Sequence, residues 1–188
     1  GHKRLALEAG EDPIHNPIEY ILESIKTIYS IKHKNGAIRR VNVNIAATTV
    51  ENYRRLHEAG IGTYILFQET YHKANYNIYH PRGMKSKFEW RVNGFDRMGQ
   101  AGVHSIGMGV LIGLEKEWRT DITMMAYHLR YLQKHYWRTK YSVNFPRMRP
   151  SENGGFQPNV IMSDRELAQV TFAMRIFDHD VDISYSTR

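Results

Sequence analysis

Cysteine is absent from the 188-residue sequence. Its absence excludes disulfides, thiolate zinc sites and iron–sulfur ligation by this chain. Long apolar runs are also missing, since none approaches the roughly 18 residues that a membrane-spanning helix needs. The start, Gly1-His2-Lys3-Arg4, lacks the apolar core of a signal peptide. We therefore expect a cytoplasmic protein with no membrane partner.

Acidic residues are too few to balance the basic ones, because 26 lysines and arginines face 19 aspartates and glutamates. The resulting charge of +7 raises the question of nucleic-acid binding. The positive residues are scattered, however, in pairs such as Arg39-Arg40 and Arg54-Arg55, and they form no basic run. This pattern favours a solvated surface with a few anion-binding arginines, and we predict no nucleic-acid partner.

Extended apolar runs alternate with amphipathic patterns along the chain. Strands are predicted over residues 3–7, 40–46, 63–67, 103–114, 141–145 and 181–185. Helices are predicted over residues 17–33, 73–80, 88–100 and 118–136, from Thr48 or Thr49 to residue 57, and from Ser163 or Asp164 to residue 177. About six such units with short connections indicate an α/β fold with a parallel sheet. We expect an open or partial TIM-type barrel, formed by residues 1–188 as one domain.

Each predicted strand stops at small or polar residues. On a barrel these stops converge on one face, where active sites are built. Gly109 and Gly113 belong to a Gly-x-Leu-x-Gly-x-Glu pattern at the end of the predicted strand 103–114. Glycines at such a place let the backbone approach a flat ligand closely. At any single strand end, ordinary turn chemistry explains the residues equally well.

Several of these segments together resemble the radical S-adenosylmethionine superfamily. They are Gln68-Glu69-Thr70-Tyr71-His72, Arg91, Asp96-Arg97, Ala101-Gly102, the pattern from Gly109 to Glu115, and Ser186-Thr187-Arg188. More narrowly, the chain resembles the lyases that cleave tyrosine between Cα and Cβ. Two branches of that group are relevant: the 2-iminoacetate synthases of thiamine thiazole biosynthesis and the maturases of FeFe-hydrogenase.

The two halves of the chain resemble different branches. Residues 5–13 and 40–67 are similar to the maturases, whereas the chain from about Tyr79 onward is similar to the synthases. The maturases have a histidine where this chain has Tyr141, which puts the maturase function in doubt. An intermediate natural subfamily and a spliced chain both remain open.

The resemblance implies a set of residues that bind S-adenosylmethionine. Gly10 and Glu11 correspond to the strand-end motif that receives its amino group, because a carboxylate and exposed carbonyls suit an ammonium. Glu69 corresponds to the carboxylate that accepts hydrogen bonds from the ribose hydroxyls. Arg91 corresponds to the arginine that pairs with the methionine carboxylate, for which a guanidinium fork is well shaped.

Further roles follow from the same resemblance. Gly109 and Gly113 correspond to the strand motif that packs on adenine. Ser186 and Arg188 correspond to the strand end near the amino acid substrate, where Arg188 holds the substrate carboxylate and Arg147 is a second candidate. For Arg147, a surface ion pair is an equally good interpretation. No residue is assigned a catalytic role.

The superfamily holds a 4Fe–4S cluster through a CxxxCxxC loop after its first strand, and this segment is absent from the sequence. The histidines show no paired metal spacing either, so we predict no metal ligand in this chain. We expect a barrel fragment without the first, cluster-binding βα unit, inactive on its own.

The function that the resemblance implies is cleavage of tyrosine to dehydroglycine (2-iminoacetate) and 4-cresol for thiazole biosynthesis. Tyrosine is then the substrate, thiazole synthase a partner, and a flavodoxin or ferredoxin the electron donor. The maturase branch is the first alternative, and a catalytically inert cofactor-binding module is the second. A metal-independent sugar or aldol enzyme is disfavoured because no lysine lies at the predicted strand ends.

Overall fold

Six parallel strands form one curled sheet in the computed structural model, which describes residues 2–151 and 155–186. The order along the sheet is β1-β4-β5-β6-β7-β8, so each strand lies beside the next one of the sheet along the chain. The strands are β1 (Arg4–Glu8), β4 (Arg40–Asn44), β5 (Tyr64–Glu69), β6 (Ser105–Val110), β7 (Lys140–Asn144) and β8 (Asp182–Ser184). This half-barrel with flanking helices confirms the predicted partial TIM-type α/β fold.

Helices connect the strands and cover one face of the sheet. They are α1 (Ile18–Ser30), α2 (Val50–Glu58), α3 (Lys73–Tyr79), α4 (Phe88–Val92), α5 (Gly94–Gln100), α6 (Trp118–His135) and α7 (Asp164–Phe177). Val41 and Val43 of β4 are fully buried on this face, together with Ile21 and Ile25 of α1. Apolar residues at alternate strand positions and at helical spacing therefore build one common core.

The opposite, concave face of the sheet carries polar side chains on several strands. On β4, the half-buried Asn42 alternates with the two valines, and its side-chain oxygen accepts a hydrogen bond from Thr63 N at 3.0 Å. Thr63 Oγ1 lies 3.0 Å from Ser105 Oγ across the next strand pair. The concave face combines these hydrogen-bonding groups with the apolar side chains of Ile65 and Phe67 from β5, which lie beside Gly107 and Gly109. It ends in the loops that follow the strands.

The caps of two helices settle the alternatives that the sequence left open. Thr49, not Thr48, caps α2, since its side chain accepts a hydrogen bond from Asn52 N at 3.2 Å. Ser163, not Asp164, caps α7 in a capping box with Glu166. Both helices therefore begin where a hydroxyl satisfies a backbone N–H that lacks a helical partner.

Three predicted boundaries were wrong. Helix α1 ends at Ser30, because the chain turns back at Lys34, with φ 51°, to pair β2 (Lys32–His33) with β3 (Gly36–Ala37) as a hairpin. The predicted helix 88–100 is broken at Asn93 into α4 and α5, as buried Gly94 packs closely against the core. The predicted strand 103–114 ends at Val110, so Gly113 lies in the following loop.

Candidate functional site

A cavity of about 580 Å³ lies at the carboxyl ends of the first three strands of the sheet. Its lining comes from the segment after β1, the segment after β4, the end of β5 and the region before and within α4: Glu8, Ala9, Gly10, Glu11, Asn44, Ile45, Ala46, Phe67, Glu69, Lys85 and Arg91. Of the six residues for which the resemblance predicts cofactor contacts, four line this cavity: Gly10, Glu11, Glu69 and Arg91. The fold thus brings together side chains that are far apart in the chain.

Arg91 is the central cation of this cavity. It belongs to α4 and is only 6% exposed. Its Nη1 donates to Glu11 Oε1 at 2.6 Å, and its Nε donates to the carbonyl oxygen of Phe67 at 2.7 Å. Its Nη2 lies 3.6 Å from Glu69 Oε1. A buried guanidinium is satisfied here by carboxylate and carbonyl oxygens together.

Glu69 reaches the cavity through an unusual backbone. Its φ is +71°, in the left-handed region that residues with a Cβ rarely adopt. The register between β5 and β6 shifts between Phe67 and Glu69, and Leu111 N donates to the Glu69 carbonyl oxygen at 2.8 Å. A strained backbone at a strand end, held by a neighbouring strand, is typical of a functional position.

Three polar residues of the cavity have no site role predicted from the sequence. Lys85 Nζ lies 2.8 Å from Glu69 Oε1, and its side chain is 33% exposed. Asn44 Nδ2 donates to Glu8 Oε1 at 3.4 Å across the β1–β4 pair. Glu8 and Asn44 are the last residues of β1 and β4, within two residues of the predicted strand ends at 7 and 46, and that position was the available signal. Lys85 lies in a short 3₁₀ turn, Met84–Ser86, where no strand-end pattern points to it.

The charges of the cavity shift nearby titrations. Burial raises the pKa of the Tyr76 hydroxyl to about 12, although Arg91 opposes this rise. Burial lowers the pKa of His80, and the positive charge of Lys85 lowers it further. Both groups are therefore neutral at pH 7. The charged side chains that line the cavity are three carboxylates, Glu8, Glu11 and Glu69, and two cations, Lys85 and Arg91.

The glycine pattern lies beside the cavity but does not line it. A Cβ added to Gly109 would lie 2.6 Å from Cδ1 of Phe67, whose side chain occupies that space and also borders the cavity. Gly113 has φ +117°, and an added Cβ would lie 2.8 Å from Met148 Cβ. The structure therefore shows a packing role for both glycines, and their contact with adenine stays a prediction.

The predicted substrate residues lie at the other end of the sheet. Ser186 Oγ accepts a hydrogen bond from Asn144 Nδ2 at 3.2 Å, beyond the ends of β7 and β8. Arg147 Nη1 donates to Asp164 Oδ1 at 2.6 Å and to the Met162 carbonyl oxygen at 3.3 Å. This ion pair fits the structural interpretation of Arg147. Arg188 lies outside the described residues.

Neither a cluster of metal-ligating side chains nor a membrane-spanning helix occurs in the described part of the chain. Within residues 2–151 and 155–186, no group of three or more His, Cys, Asp or Glu side chains is arranged to hold a metal ion. In that part, every helix is too short or too polar to cross a bilayer.

Known proteins resemble this chain over its whole length. No protein-family model matches it. The 2-iminoacetate synthases of Salmonella typhimurium (strain LT2) and Escherichia coli (strain K12) are 38% and 46% identical over all 188 residues, which correspond to 48% of each protein. A crystal structure of HydG, a maturase of the FeFe-hydrogenase, superposes with a TM-score of 0.93 at 45% identity. The resemblance to radical S-adenosylmethionine tyrosine lyases is confirmed.

Each match covers all of this chain but less than half of the related protein. HydG from Carboxydothermus hydrogenoformans superposes with a TM-score of 0.89 at 36% identity, and the whole chain covers 42% of its length. The chain thus spans about half the length of the curated relatives it matches. Methylornithine synthase, at 17% identity and a TM-score of 0.70, shares the fold.

The two tyrosine lyase branches match the chain almost equally. The Escherichia coli synthase is 46% identical to it, and the first of the two HydG structures is 45% identical. Overall identity therefore does not select a branch, and the different resemblance of the two halves stays a prediction.

Proposed function

We propose that this chain is the cofactor- and substrate-binding portion of a radical S-adenosylmethionine lyase that cleaves the Cα–Cβ bond of tyrosine. The products are dehydroglycine and 4-cresol, and the pathway is thiamine thiazole biosynthesis. The observation that carries the proposal is the convergence of Glu11, Glu69 and Arg91 on one strand-end cavity, in a chain 46% identical to a 2-iminoacetate synthase.

The charges of the cavity fit the amino acid end of S-adenosylmethionine. Glu11 offers an acceptor for an ammonium group, and Arg91 offers a fork for a carboxylate. These two side chains pair with each other at 2.6 Å. When a zwitterion inserts between them, its ammonium group takes the place of Arg91 beside Glu11, and its carboxylate takes the place of Glu11 beside Arg91. Each buried charge therefore keeps a partner of opposite sign.

The ribose fits the remaining carboxylate. Glu69 has a side chain that is 12% exposed and borders the cavity, where it accepts hydrogen bonds from the vicinal hydroxyls. Together with a reduced 4Fe–4S cluster, S-adenosylmethionine would supply the radical chemistry that the cleavage of tyrosine needs, and the residues of this cavity would hold its amino acid and ribose groups. The described residues do not fit the cluster, because the chain has no thiolate, and its ligands lie outside this sequence.

Partners and location belong to the same proposal. Tyrosine is the substrate, with Ser186, Arg147 and Arg188 as candidates for holding it. Arg147 would bind the substrate carboxylate in place of its present partner Asp164, whose side chain is 90% exposed. A flavodoxin or ferredoxin supplies electrons, thiazole synthase takes the product, and the cytoplasm is the expected location.

A maturase function is the second candidate. The HydG structure superposes with a TM-score of 0.93, and residues 5–13 and 40–67 resemble that branch. Tyr141 replaces the histidine of the maturases, and the later part of the chain resembles the synthases. The balance favours the synthase branch.

Equilibrium dialysis of the chain with S-adenosylmethionine tests the proposal. We expect binding that weakens at least about tenfold in Glu11→Gln, since a charge-assisted hydrogen bond is lost. Glu51→Gln, in an exposed pair with Arg54, is the matched control and should leave binding unchanged. No binding by the chain, or an equal loss in both variants, contradicts the assignment. After iron–sulfur reconstitution, the chain alone should form no 4-cresol.

A further inference from the structure

Lys85 is the cation of the cavity whose role the proposed function leaves unexplained. It projects from the turn Met84–Ser86, which follows α3 and precedes α4. Its ammonium lies 2.8 Å from Glu69 Oε1, and its side chain is two-thirds buried and lines the cavity. A lysine side chain loses rotamer entropy when it is held this way, so the ion pair has to offset a free-energy cost of comparable size.

Glu69 is the residue that needs external support. Its left-handed backbone and the register shift before it take its side chain out of the regular direction of β5. The backbone itself is held by Leu111 N at 2.8 Å. The carboxylate of such a residue is free to rotate unless other side chains fix it.

Two cations share one oxygen of this carboxylate. Lys85 and Arg91 both approach Oε1, at 2.8 Å and 3.6 Å. Arg91 is the weaker support, because it has closer partners in Glu11 Oε1 at 2.6 Å and the Phe67 carbonyl at 2.7 Å. Within the described part of the chain, no hydrogen bond to the second oxygen, Oε2, is found. One oxygen is therefore an anchor, and the other is available for a ligand.

We propose that Lys85 is a positioning residue that fixes the Glu69 carboxylate through Oε1, so that Oε2 accepts a hydrogen bond from the ribose diol of the cofactor. This inference rests on the proposed function for the identity of the ligand. The Lys85–Glu69 pair also keeps Arg91 for Glu11 and the ligand carboxylate, since without Lys85 a single guanidinium would serve two carboxylates.

The test compares two nucleoside probes by equilibrium dialysis with the chain. The probes are 5′-deoxyadenosine, which has the diol, and 2′,5′-dideoxyadenosine, which lacks one of its hydroxyls. Lys85→Met is expected to weaken binding of the first probe about tenfold and of the second less than about twofold. Lys85→Arg should restore most of the affinity. Lys73→Met removes a similar but exposed pair with Glu89 and should change neither.

A double-mutant cycle separates positioning from direct contact. If Lys85 acts through Glu69, Lys85→Met adds no further loss in a Glu69→Gln background. Additive losses, or an equal loss for both probes in Lys85→Met, would overturn the proposal. If the unmodified chain binds neither probe, the proposed function fails at the ribose. In that case the melting temperatures of the unmodified chain, Lys85→Met, Glu69→Gln and the double variant test the Lys85–Glu69 contact without a ligand. Additive changes in melting temperature would show that the two side chains are not coupled, which refutes the anchor itself.

Discussion

Replacing Arg91 with methionine should destabilise the fold by about 3 kcal/mol. The change orphans the Phe67 carbonyl oxygen, for which an unsatisfied buried acceptor costs about 1–3 kcal/mol. It also removes the partner of Glu11, and breaking a fully buried pair costs about 3–5 kcal/mol. That second contribution is reduced here because the Glu11 side chain is 25% exposed. Methionine keeps the apolar stem, so lost packing adds little.

Urea unfolding followed by circular dichroism measures this effect. With a slope of about 1–3 kcal/mol/M, a loss of that size lowers the midpoint by about 1–3 M. Arg55→Met is the matched control, since Arg55 forms a 3.0 Å pair with Glu19 whose side chains are 35% and 67% exposed. That variant should lose less than about 1 kcal/mol. Equal losses in the two variants would refute the idea that burial makes the Arg91 contacts strong.

Two further predictions concern a half-buried histidine and a crowded glycine. Burial lowers the pKa of His128 to about 4, and its neutral Nδ1 lies 2.8 Å from the Tyr71 hydroxyl. As the pH falls, His128 takes up a proton in the unfolded chain before it does so in the folded chain. The free energy of unfolding should therefore fall by about 3 kcal/mol from pH 6.5 to pH 4, and His128→Gln should lose this part of the pH dependence in urea unfolding. Gly109→Ala should cost about 1–3 kcal/mol, because its Cβ would meet the Phe67 ring at 2.6 Å. Gly107→Ala, with its closest contact at 3.2 Å, should lower the melting temperature less, and the reverse order would contradict the packing explanation.

The sheet was predictable from the sequence because its signals are local. Val41 and Val43 alternate with asparagines, and this period of two identified β4 to within two residues. The long amphipathic pattern of α6 was equally clear, and its observed bounds differ from the predicted ones by one residue. Short connections between such elements leave few topologies besides a parallel sheet. The fold class was therefore available before the structure.

The rest depended on tertiary contacts. The hairpin β2–β3 is too short to produce a periodic pattern, so its residues were assigned to the preceding helix and to a loop. The left-handed backbone of Glu69 has no sequence signal, because a glutamate at a strand end usually stays extended. Lys85 was missed because its proposed role depends on its contact with Glu69, 16 positions earlier in the chain, and no local pattern marks that contact.

The central ion pair of the cavity joins two segments for which the sequence predicts a likeness to different branches. Glu11 lies in the segment similar to the maturases, and Arg91 lies in the part similar to the synthases, yet they meet at 2.6 Å across 80 positions. Such a contact requires that both segments keep the same strand-end geometry. This agrees with the proposed ligand, S-adenosylmethionine, which the resemblance assigns to both branches. We propose that the residues that distinguish the two branches lie elsewhere in the chain, and β7 with Tyr141, where the sequence departs from the maturases, is the first place to look for them.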